Sequence, residues 1–265
     1  MSKKRADVLL FEKGLVNSRE KGKRLIMEGV VFIGSQRVDK PGESIDEDAE
    51  IIIKENPLIY VSRGGLKLEK AINIFSLDLK NKIAMDIGAS TGGFTDCMLR
   101  AGAQKVYAVD VGYNQLDWKL RNDNRVVVME RTNIRNVTKD DIDDNIDFIS
   151  IDVSFISLRL VLPVAKSILK ETGEIIALIK PQFEAGRDKV GKKGIVSKKE
   201  THIEVIQNVI NFTAGLGLVA NSLTYSPVTG ATGNIEFLIY LKNQGNGIED
   251  ELIWDVVDKA HEELK

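Results

Sequence analysis

Short apolar runs alternate with amphipathic segments along the chain from residue 83 onward. Five runs rich in β-branched and other apolar residues predict strands at residues 83–87, 106–110, 125–130, 148–152 and 175–180. Segments of helical character lie between them, at residues 94–101, 114–120 and 157–170. This alternation predicts a mostly parallel sheet that is covered by helices on both faces.

Two more apolar segments, residues 218–225 and 235–241, follow a predicted helix at residues 199–214. Because they are close in sequence, we expect them to form an antiparallel pair at the edge of the sheet. Predicted helices at residues 66–75 and 249–265 complete an α/β domain.

The first 57 residues show a different pattern. Leu9, Leu10 and Leu15 give a predicted helix its apolar face, Gly14 marks its end, and Asn17 or Ser18 can cap a second helix. Short strands are predicted at residues 30–33, 36–38 and 50–53. The pair Asn56-Pro57 then interrupts the pattern. We therefore predict a small α+β domain at residues 1–57, a linker at residues 58–65 and the α/β domain at residues 66–265.

Composition places the chain among globular proteins, since 43% of its 265 residues are hydrophobic and 29% are charged. No apolar run approaches the 18 residues or so that a membrane helix needs, and no signal peptide is recognisable. The single cysteine, Cys97, excludes an internal disulfide and is typical of a reducing compartment. We expect a soluble, cytoplasmic protein.

Basic residues are concentrated near the N-terminus, although the net charge of the chain is −2. Clustered lysine and arginine on a helix provide binding energy for nucleic-acid phosphates, whereas an ordinary solvated helix face is the alternative interpretation. A further arginine lies in the flexible segment of residues 62–65. The candidate phosphate-binding residues are Lys3, Lys4, Arg5, Arg19, Lys23, Arg24 and Arg63.

A glycine-rich loop follows the first predicted strand of the α/β domain, and an acid ends the next strand. Gly88 permits a tight turn, and Gly92 and Gly93 let a ligand approach the start of the next helix. Asp110, 22 positions after Gly88, is placed to accept hydrogen bonds from a ribose. The predicted ligand-binding residues are Asp86, Gly88, Ala89, Ser90, Thr91, Gly92, Gly93, Phe94, Asp110 and Val111.

Three ligands compete for this loop. A phosphate-binding P-loop needs Gly-Lys-Ser/Thr, but Phe94 and Thr95 follow the glycines here. A dinucleotide loop needs Gly-x-Gly-x-x-Gly, and that spacing is absent. S-adenosylmethionine remains, because an acidic loop suits its cationic sulfonium and amino groups. Plain packing of a strand, a turn and a helix is the alternative without a ligand.

Four residues that are distant in sequence are predicted to lie around this loop: Lys67, Asp152, Lys180 and Glu236. The carboxyl ends of parallel strands line the ligand crevice, so Asp152 and Lys180 should converge there. Two lysines and two acids indicate proton handling on a weakly acidic hydroxyl, and no metal ion is required. A structural ion pair between Lys180 and Asp152, and a solvent-facing Glu236, are the alternatives.

Two resemblances extend these predictions. The first 55 residues or so, with Arg5-Ala6-Asp7 and the segments that begin at Ser18 and Gly29, resemble the RNA-binding domain first seen in the fourth small-subunit ribosomal protein. This resemblance favours RNA contacts for the basic cluster.

The remainder resembles the TlyA family on five motifs, which lie at residues 62–68, 86–95, 152–158, 180–184 and 230–236. TlyA proteins are ribosomal RNA 2′-O-methyltransferases with an FtsJ/RrmJ-like catalytic domain, and they are also described as haemolysin-like. The resemblance implies a Rossmann-like methyltransferase sheet, S-adenosylmethionine as cofactor, and a cytidine ribose in ribosomal RNA or a ribosomal subunit as target. It also implies a Lys-Asp-Lys-Glu tetrad at Lys67, Asp152, Lys180 and Glu236.

Two other features stay open. The loop at residues 183–197 is basic and glycine-rich, and it is either a mobile solvated loop or an RNA-gripping lid. His202 and His261 are predicted to be surface residues. A noncatalytic RNA-binding or ribosome-assembly protein, and a membrane-active haemolysin, are the competing functions. The sequence leaves the modified nucleotide and the oligomeric state undetermined.

Overall fold

The computed structural model of the chain describes residues 3–27, 29–34, 36–53 and 59–264. The chain forms two compact units, Met1–Ile59 and Tyr60–Lys265. The predicted break at Asn56-Pro57 and the first residue of the predicted linker lie outside the described residues.

The N-terminal unit combines two helices with short antiparallel strands. The strands are β1 (Lys3–Arg5), β2 (Val31–Ile33), β3 (Gln36–Arg37), β4 (Ser44–Asp46) and β5 (Ile51–Ile53), and the helices are α1 (Ala6–Glu12) and α2 (Arg19–Met27). β1 pairs with β4, and β2 lies between β3 and β5. The sequence did not predict β1 and β4, because each is only three residues long and mostly polar.

The second unit contains a seven-stranded sheet. Its strands are β6 (Ile83–Ile87), β7 (Lys105–Val109), β8 (Val126–Met129), β9 (Ile146–Ile151), β10 (Leu169–Ile179), β11 (Val219–Tyr225) and β12 (Phe237–Lys242). Their spatial order is β11-β12-β10-β9-β6-β7-β8. β6 to β10 pair in parallel, and β12 is antiparallel to both β10 and β11. The predicted mostly parallel α/β fold is thus confirmed. The antiparallel pair is present as well, but β12 lies inside the sheet, next to β10.

Helices cover both faces of this sheet. They are α3 (Gly64–Phe75), α4 (Gly93–Arg100), α5 (Trp118–Arg121), α6 (Leu162–Ile168), α7 (Pro181–Glu184), α8 (Lys199–Gly215) and α9 (Asp250–Glu263). The single helix predicted at residues 157–170 is wrong. Instead, a 3₁₀ turn at Leu158–Leu160 precedes α6, Pro163 lies in the first turn of α6, and the chain has already entered β10 at Leu169.

The apolar core forms one layer on each face of the sheet. Successive strand residues point to opposite faces, so Phe148 packs in one layer and Ile149 in the other. Because both layers exclude water, the central strands are apolar at nearly every position. Phe148 is completely buried, and truncating a core phenylalanine to alanine costs roughly 3–5 kcal/mol of stability.

His202 corrects a prediction, because this expected surface residue is 0% exposed. It lies on α8, where its ring and that of Phe237 form a T-shaped contact with centroids 5.4 Å apart. Its Nδ1 is 2.8 Å from His261 Nε2 on α9, and its Nε2 is 3.1 Å from the carbonyl oxygen of Val196. These two polar partners compensate for the burial of the imidazole.

Among the helices that the structure describes, none is both long enough and apolar enough to cross a membrane.

Candidate active site

The topology brings the four predicted tetrad residues to one end of the sheet. Asp152 follows β9 and Lys180 follows β10, so both lie at the carboxyl ends of neighbouring parallel strands. β12 runs antiparallel to β10, with Phe237 opposite Ile179, so Glu236 begins β12 at the same edge. Lys67 extends from the first turns of α3. The clustering depends on the placement of β12 beside β10.

The four side chains form a row of alternating charge. Lys180 Nζ lies 2.6 Å from Asp152 Oδ1. The other oxygen, Asp152 Oδ2, lies 3.8 Å from Lys67 Nζ, which in turn donates a hydrogen bond of 2.6 Å to Glu236 Oε2. Lys180 Nζ also donates to the hydroxyl of Ser154 at 2.9 Å. Asp152 is therefore shared by the two ammonium groups.

Burial and charge oppose each other at this cluster. Burial lowers the pKa of Lys67, but the carboxylates of Asp152 and Glu236 outweigh it and hold that pKa above its ordinary value. Burial similarly raises the pKa of Asp152, yet Lys67 and Lys180 bring it below its ordinary value. Lys67 is thus a fixed cation and Asp152 a fixed anion at neutral pH. Neither of them is suited to act as a general base.

A cavity of about 430 Å³ lies between the glycine loop, the end of β7 and Asp152. Its volume is in the range of small-molecule sites. Gly88 borders it with a left-handed φ of +88°, and a Cβ there would come within 2.5 Å of the carbonyl oxygen of Asp152. Only glycine fits this position without a shift of the backbone.

Asp110 connects the glycine loop to the turn after β7. Its Oδ2 accepts a hydrogen bond of 2.8 Å from the amide of Ser90, and its Oδ1 accepts one of 2.7 Å from the amide of Gly112. Each carboxylate oxygen retains a free lone pair. Asp110 can therefore stabilise the loop and still accept hydrogen bonds from two hydroxyls of a ligand in the cavity.

The predicted ligand-binding residues divide into two groups. The cavity is lined by Gly88, Ser90, Asp110 and Val111. The other six do not line it, and all of them except Thr91 are buried: Asp86, Ala89, Thr91, Gly92, Gly93 and Phe94.

Asp86 belongs to the second group. It is 0% exposed, and its carboxylate accepts hydrogen bonds from the hydroxyls of Thr95 at 2.7 Å and Ser150 at 3.1 Å. Burial raises its pKa to about 7 despite these two bonds. Asp86 thus links β6 to α4 and β9 underneath the loop.

Sequence reasoning missed several residues around the site. Thr132 and Asn133 line the cavity just beyond the carboxyl end of β8, and the rule of strand ends could have identified them. Phe155 is 90% exposed beside Ser154, with a left-handed φ of +63°. Its ring centroid is 5.1 Å from that of Phe183. An exposed aromatic ring in a strained backbone conformation at a cavity is typical of a functional position.

The basic residues of the N-terminal unit are largely held by acids. Arg5 and Arg19 both bind the buried carboxylate of Asp7, at 3.0 and 3.2 Å, while their own side chains remain half exposed. Lys4 pairs with Glu12 and Glu47, and Lys23 lies 3.7 Å from Glu20. Lys3 and Arg24 are exposed. Asp7 therefore fixes two arginines at one place on this unit.

Arg63, the remaining predicted RNA-binding residue, lies in the second unit. It immediately precedes α3, and its charge acts on Lys67 to lower the pKa of that lysine. The structure thus places Arg63 near the tetrad.

Comparisons with known proteins agree with this arrangement. The chain matches the FtsJ-like methyltransferase family over residues 60–243 and the S4 domain over residues 4–51. A Bacillus subtilis protein with the provisional name rRNA methyltransferase YqxC is 55% identical over 99% of this chain and 96% of its own length. A Mycobacterium tuberculosis protein named 16S/23S rRNA (cytidine-2′-O)-methyltransferase TlyA is 38% identical over 93% and 94%.

A solved structure from Streptococcus thermophilus, provisionally named a hemolysin, shares 49% identity and a TM-score of 0.79. It covers 99% of this chain and 97% of its own. The resemblance to TlyA proteins is thereby confirmed. The chain belongs to the FtsJ-like methyltransferase family, and it contains an S4 domain as well as the methyltransferase domain.

Proposed function

We propose that the chain transfers a methyl group from S-adenosylmethionine to the 2′-hydroxyl of a cytidine ribose in ribosomal RNA. The observation that carries this proposal is the contact of Lys180 with Asp152 at the edge of the cavity that Gly88 and Asp110 line. A cofactor site and a buried, paired lysine are thus adjacent. Relatives that are named rRNA (cytidine-2′-O)-methyltransferases support the choice of substrate.

The cavity residues suit the chemistry of the cofactor. The free lone pairs of Asp110 can accept hydrogen bonds from the two ribose hydroxyls, and Gly88 and Ser90 allow close approach of the backbone. Thr132 and Asn133 offer polar groups at the other wall. Bound S-adenosylmethionine supplies the methyl group on a sulfonium centre, which makes the sulfur a good leaving group.

The tetrad prepares the hydroxyl for reaction. A ribose 2′-hydroxyl is a poor nucleophile until its proton is removed or held in a strong hydrogen bond. Lys180 Nζ contacts Asp152 and Ser154, which leaves one of its positions for the hydroxyl. There an N–H of the ammonium group can orient the hydroxyl, or the lone pair of a neutral amine can take its proton. Asp152 orients Lys180, while Lys67 faces the second oxygen of Asp152 and is itself held by Glu236. Because the chain mostly positions reacting groups, small displacements should cost much activity.

RNA binding is assigned to two surfaces, each on its own unit. The S4 domain presents Arg5 and Arg19 around Asp7, together with Lys3, Lys4, Lys23 and Arg24. On the methyltransferase unit, Arg63 and the exposed ring of Phe155 flank the tetrad. An exposed ring near the reacting ribose offers a surface on which a base can stack.

The test is to map ribose methylation in ribosomal RNA from cells with and without the gene, by mass spectrometry of nuclease fragments. We expect one or more 2′-O-methylcytidines that disappear on deletion and return when wild-type protein, but not the Lys180→Ala variant, is restored. Unchanged methylation, together with RNA binding by the purified protein, would instead support a noncatalytic assembly protein. Lysis of erythrocytes by the purified protein would support the haemolysin alternative.

A further inference from the structure

The basic segment between Lys180 and Glu236 has a defined conformation. The amide of Gly191 donates to the carbonyl of Ile195 at 3.0 Å, and the amide of Gly194 donates to that of Gly191 at 2.8 Å. These bonds close a tight turn, residues 191–195, which we call the lysine turn. Lys192 and Lys193 are exposed at its tip. In the described part of the chain, neither of them forms an ion pair at 4.0 Å or less.

One buried side chain holds this turn. Asn234, 0% exposed, accepts a hydrogen bond of 2.9 Å from the amide of Val196 through Oδ1, and its Nδ2 donates to the carbonyl of Gly194 at 2.8 Å. The same Nδ2 donates to the hydroxyl of Thr232 at 2.9 Å. The side-chain amide of Asn234 thus binds one backbone N–H and one backbone carbonyl at the end of the turn, as the backbone of a neighbouring strand would.

A second side chain, His202, holds the residue that follows the turn. The carbonyl oxygen of Val196 is 3.1 Å from Nε2 of His202. Since a carbonyl oxygen only accepts, Nε2 carries a proton, and in the neutral imidazole Nδ1 accepts from His261 Nε2. The exit of the lysine turn is therefore attached both to the segment before β12 and to α8.

The attachment points are close in sequence to two residues of the tetrad. Lys180 directly precedes α7, where Glu184 accepts hydrogen bonds from the hydroxyl of Ser157 and the amide of Leu158, both at 2.7 Å. At the other end, Asn234 is two residues from Glu236, which binds Lys67. The segment that carries the lysine turn thus begins beside one catalytic residue and ends beside another.

The charge of the segment suits a polyanion. Residues 187–198 contain five basic residues and one acidic residue, in a chain whose net charge is −2. Of the basic residues, Lys189 is neutralised by Glu204 at 2.6 Å. A ribose that reaches Lys180 carries a phosphate on each side, so cations anchored beside the tetrad meet the RNA backbone.

We propose that the lysine turn binds phosphates of the substrate RNA close to the reacting ribose, and that Asn234 is the positioning residue that fixes the turn relative to Glu236. This proposal rests on the proposed function for the identity of the RNA. The contact does not depend on the RNA sequence, because the lysines bind the charged phosphates and not the bases. The lysine turn accordingly adds affinity near the reacting nucleotide.

The first experiment compares wild type with the double variant Lys192→Ala/Lys193→Ala in binding to a ribosomal RNA transcript over a range of salt concentrations. We expect weaker binding and a slope of log affinity against log salt that is smaller by about one to two, since each phosphate contact contributes about 0.7–0.9. The matched control is Lys80→Ala/Lys259→Ala, which removes two exposed lysines elsewhere. An unchanged slope in the lysine-turn variant would overturn the RNA contact.

The second experiment tests Asn234 in a double-mutant cycle with the lysine pair. If Asn234 acts by placing the turn, Asn234→Ala alone weakens RNA binding several-fold, but adds little in the background without the two lysines. Asn234→Asp, which keeps the acceptor and removes both donations, should behave in the same way. Cofactor affinity, measured by calorimetry, should remain unchanged in all variants.

Additive effects in the cycle would show that Asn234 acts independently of the two lysines and would overturn its positioning role. Failure of both Asn234 variants to fold, judged by thermal unfolding, would overturn that role too, because it would make Asn234 a residue of the general fold. Binding is measured without turnover, so this outcome is separate from the proposed reaction. A wild-type protein that binds RNA but transfers no methyl group would contradict the reaction alone.

Discussion

Asp152 holds two lysines through its two oxygens, and this sharing decides the roles of individual residues at the site. Lys67 is bound to two acids, so its pKa is raised and it remains an ammonium group. Lys180 has one acid partner and one hydroxyl partner. These two partners leave one position on Nζ for a further interaction, and we assign Lys180 the contact with the 2′-hydroxyl.

Lys180→Ala should retain the fold and cofactor affinity but lose methyl transfer by roughly 10²–10⁴-fold, which is the usual contribution of positioned proton transfer. Lys180→Arg should fail as well, because a guanidinium stays protonated and does not fit the geometry of an ammonium group. Single-turnover rates on ribosomal RNA, with calorimetry of cofactor binding, measure both effects.

The control for these variants is Lys170→Ala. Lys170 also pairs with an aspartate, Asp147 at 2.5 Å, but it lies at the opposite end of β10. The Lys170→Ala variant should transfer methyl groups normally.

Since an ordinary lysine has a pKa of about 10.4, a mechanism that needs a neutral lysine gives a rate of methyl transfer that rises toward alkaline pH. Near-normal turnover of Lys180→Ala would contradict this mechanism and would show that Lys180 only forms a structural ion pair with Asp152.

At the scale of elements, the carboxyl ends of parallel strands supply most of the site. β6 leads into the glycine loop, β7 into Asp110, β9 into Asp152 and β10 into Lys180. All these ends face one edge because β6 to β10 run in the same direction. Glu236 is the exception. It comes from the start of β12, and only an antiparallel neighbour of β10 presents its start at that edge.

The link between the glycine loop and the turn after β7 predicts the effect of Asp110→Ala. The substitution removes the hydrogen bonds to the amides of Ser90 and Gly112 as well as the proposed contacts with the cofactor ribose. Calorimetry should show S-adenosylmethionine binding at least ten-fold weaker. Asp140→Ala, at an exposed aspartate in a 3₁₀ turn, is the control and should bind normally. Unchanged affinity of Asp110→Ala would remove Asp110 from the cofactor site.

At the scale of the whole molecule, the chain consists of a small unit whose first helices are basic and a larger methyltransferase unit. The first unit has its own core, around Leu10, Ile26 and Val31, and the second has the two-layered core of the sheet. The net negative charge of the chain conceals the basic character of the first helices. RNA affinity and methyl transfer should therefore respond to different substitutions.

Changing Arg19, Lys23 and Arg24 together to alanine should weaken binding to ribosomal RNA and flatten its salt dependence. The rate at saturating RNA should stay close to that of wild type, because these residues lie outside the catalytic unit. Filter binding over a salt series and steady-state kinetics measure the two properties. The comparison variant changes Lys80, Lys119 and Lys259, which are exposed in the second unit. If RNA binding has the same salt slope in both variants, the basic residues of the N-terminal unit are an ordinary solvated surface.

The sequence by itself predicted most strands of the sheet and most of its helices, the glycine loop, and the four residues that the fold brings together at one edge. Alternation of apolar residues depends on near neighbours, and strand ends follow from it. Tertiary structure alone decided what depends on distant partners. The hydrogen bond from Lys67 to Glu236 spans 169 positions, and it requires β12 to lie beside β10.

The burial of His202 and the hydrogen bonds from Asn234 to the lysine turn were also decided by the tertiary structure alone. Each depends on which backbone group faces a side chain from another element: the carbonyl of Val196 for His202, and the amide of Val196 with the carbonyl of Gly194 for Asn234. Periodicity in sequence carries no information on such contacts, because the side chain and its partner are 40 positions apart for Asn234 and Gly194 and satisfy each other only after the chain has folded.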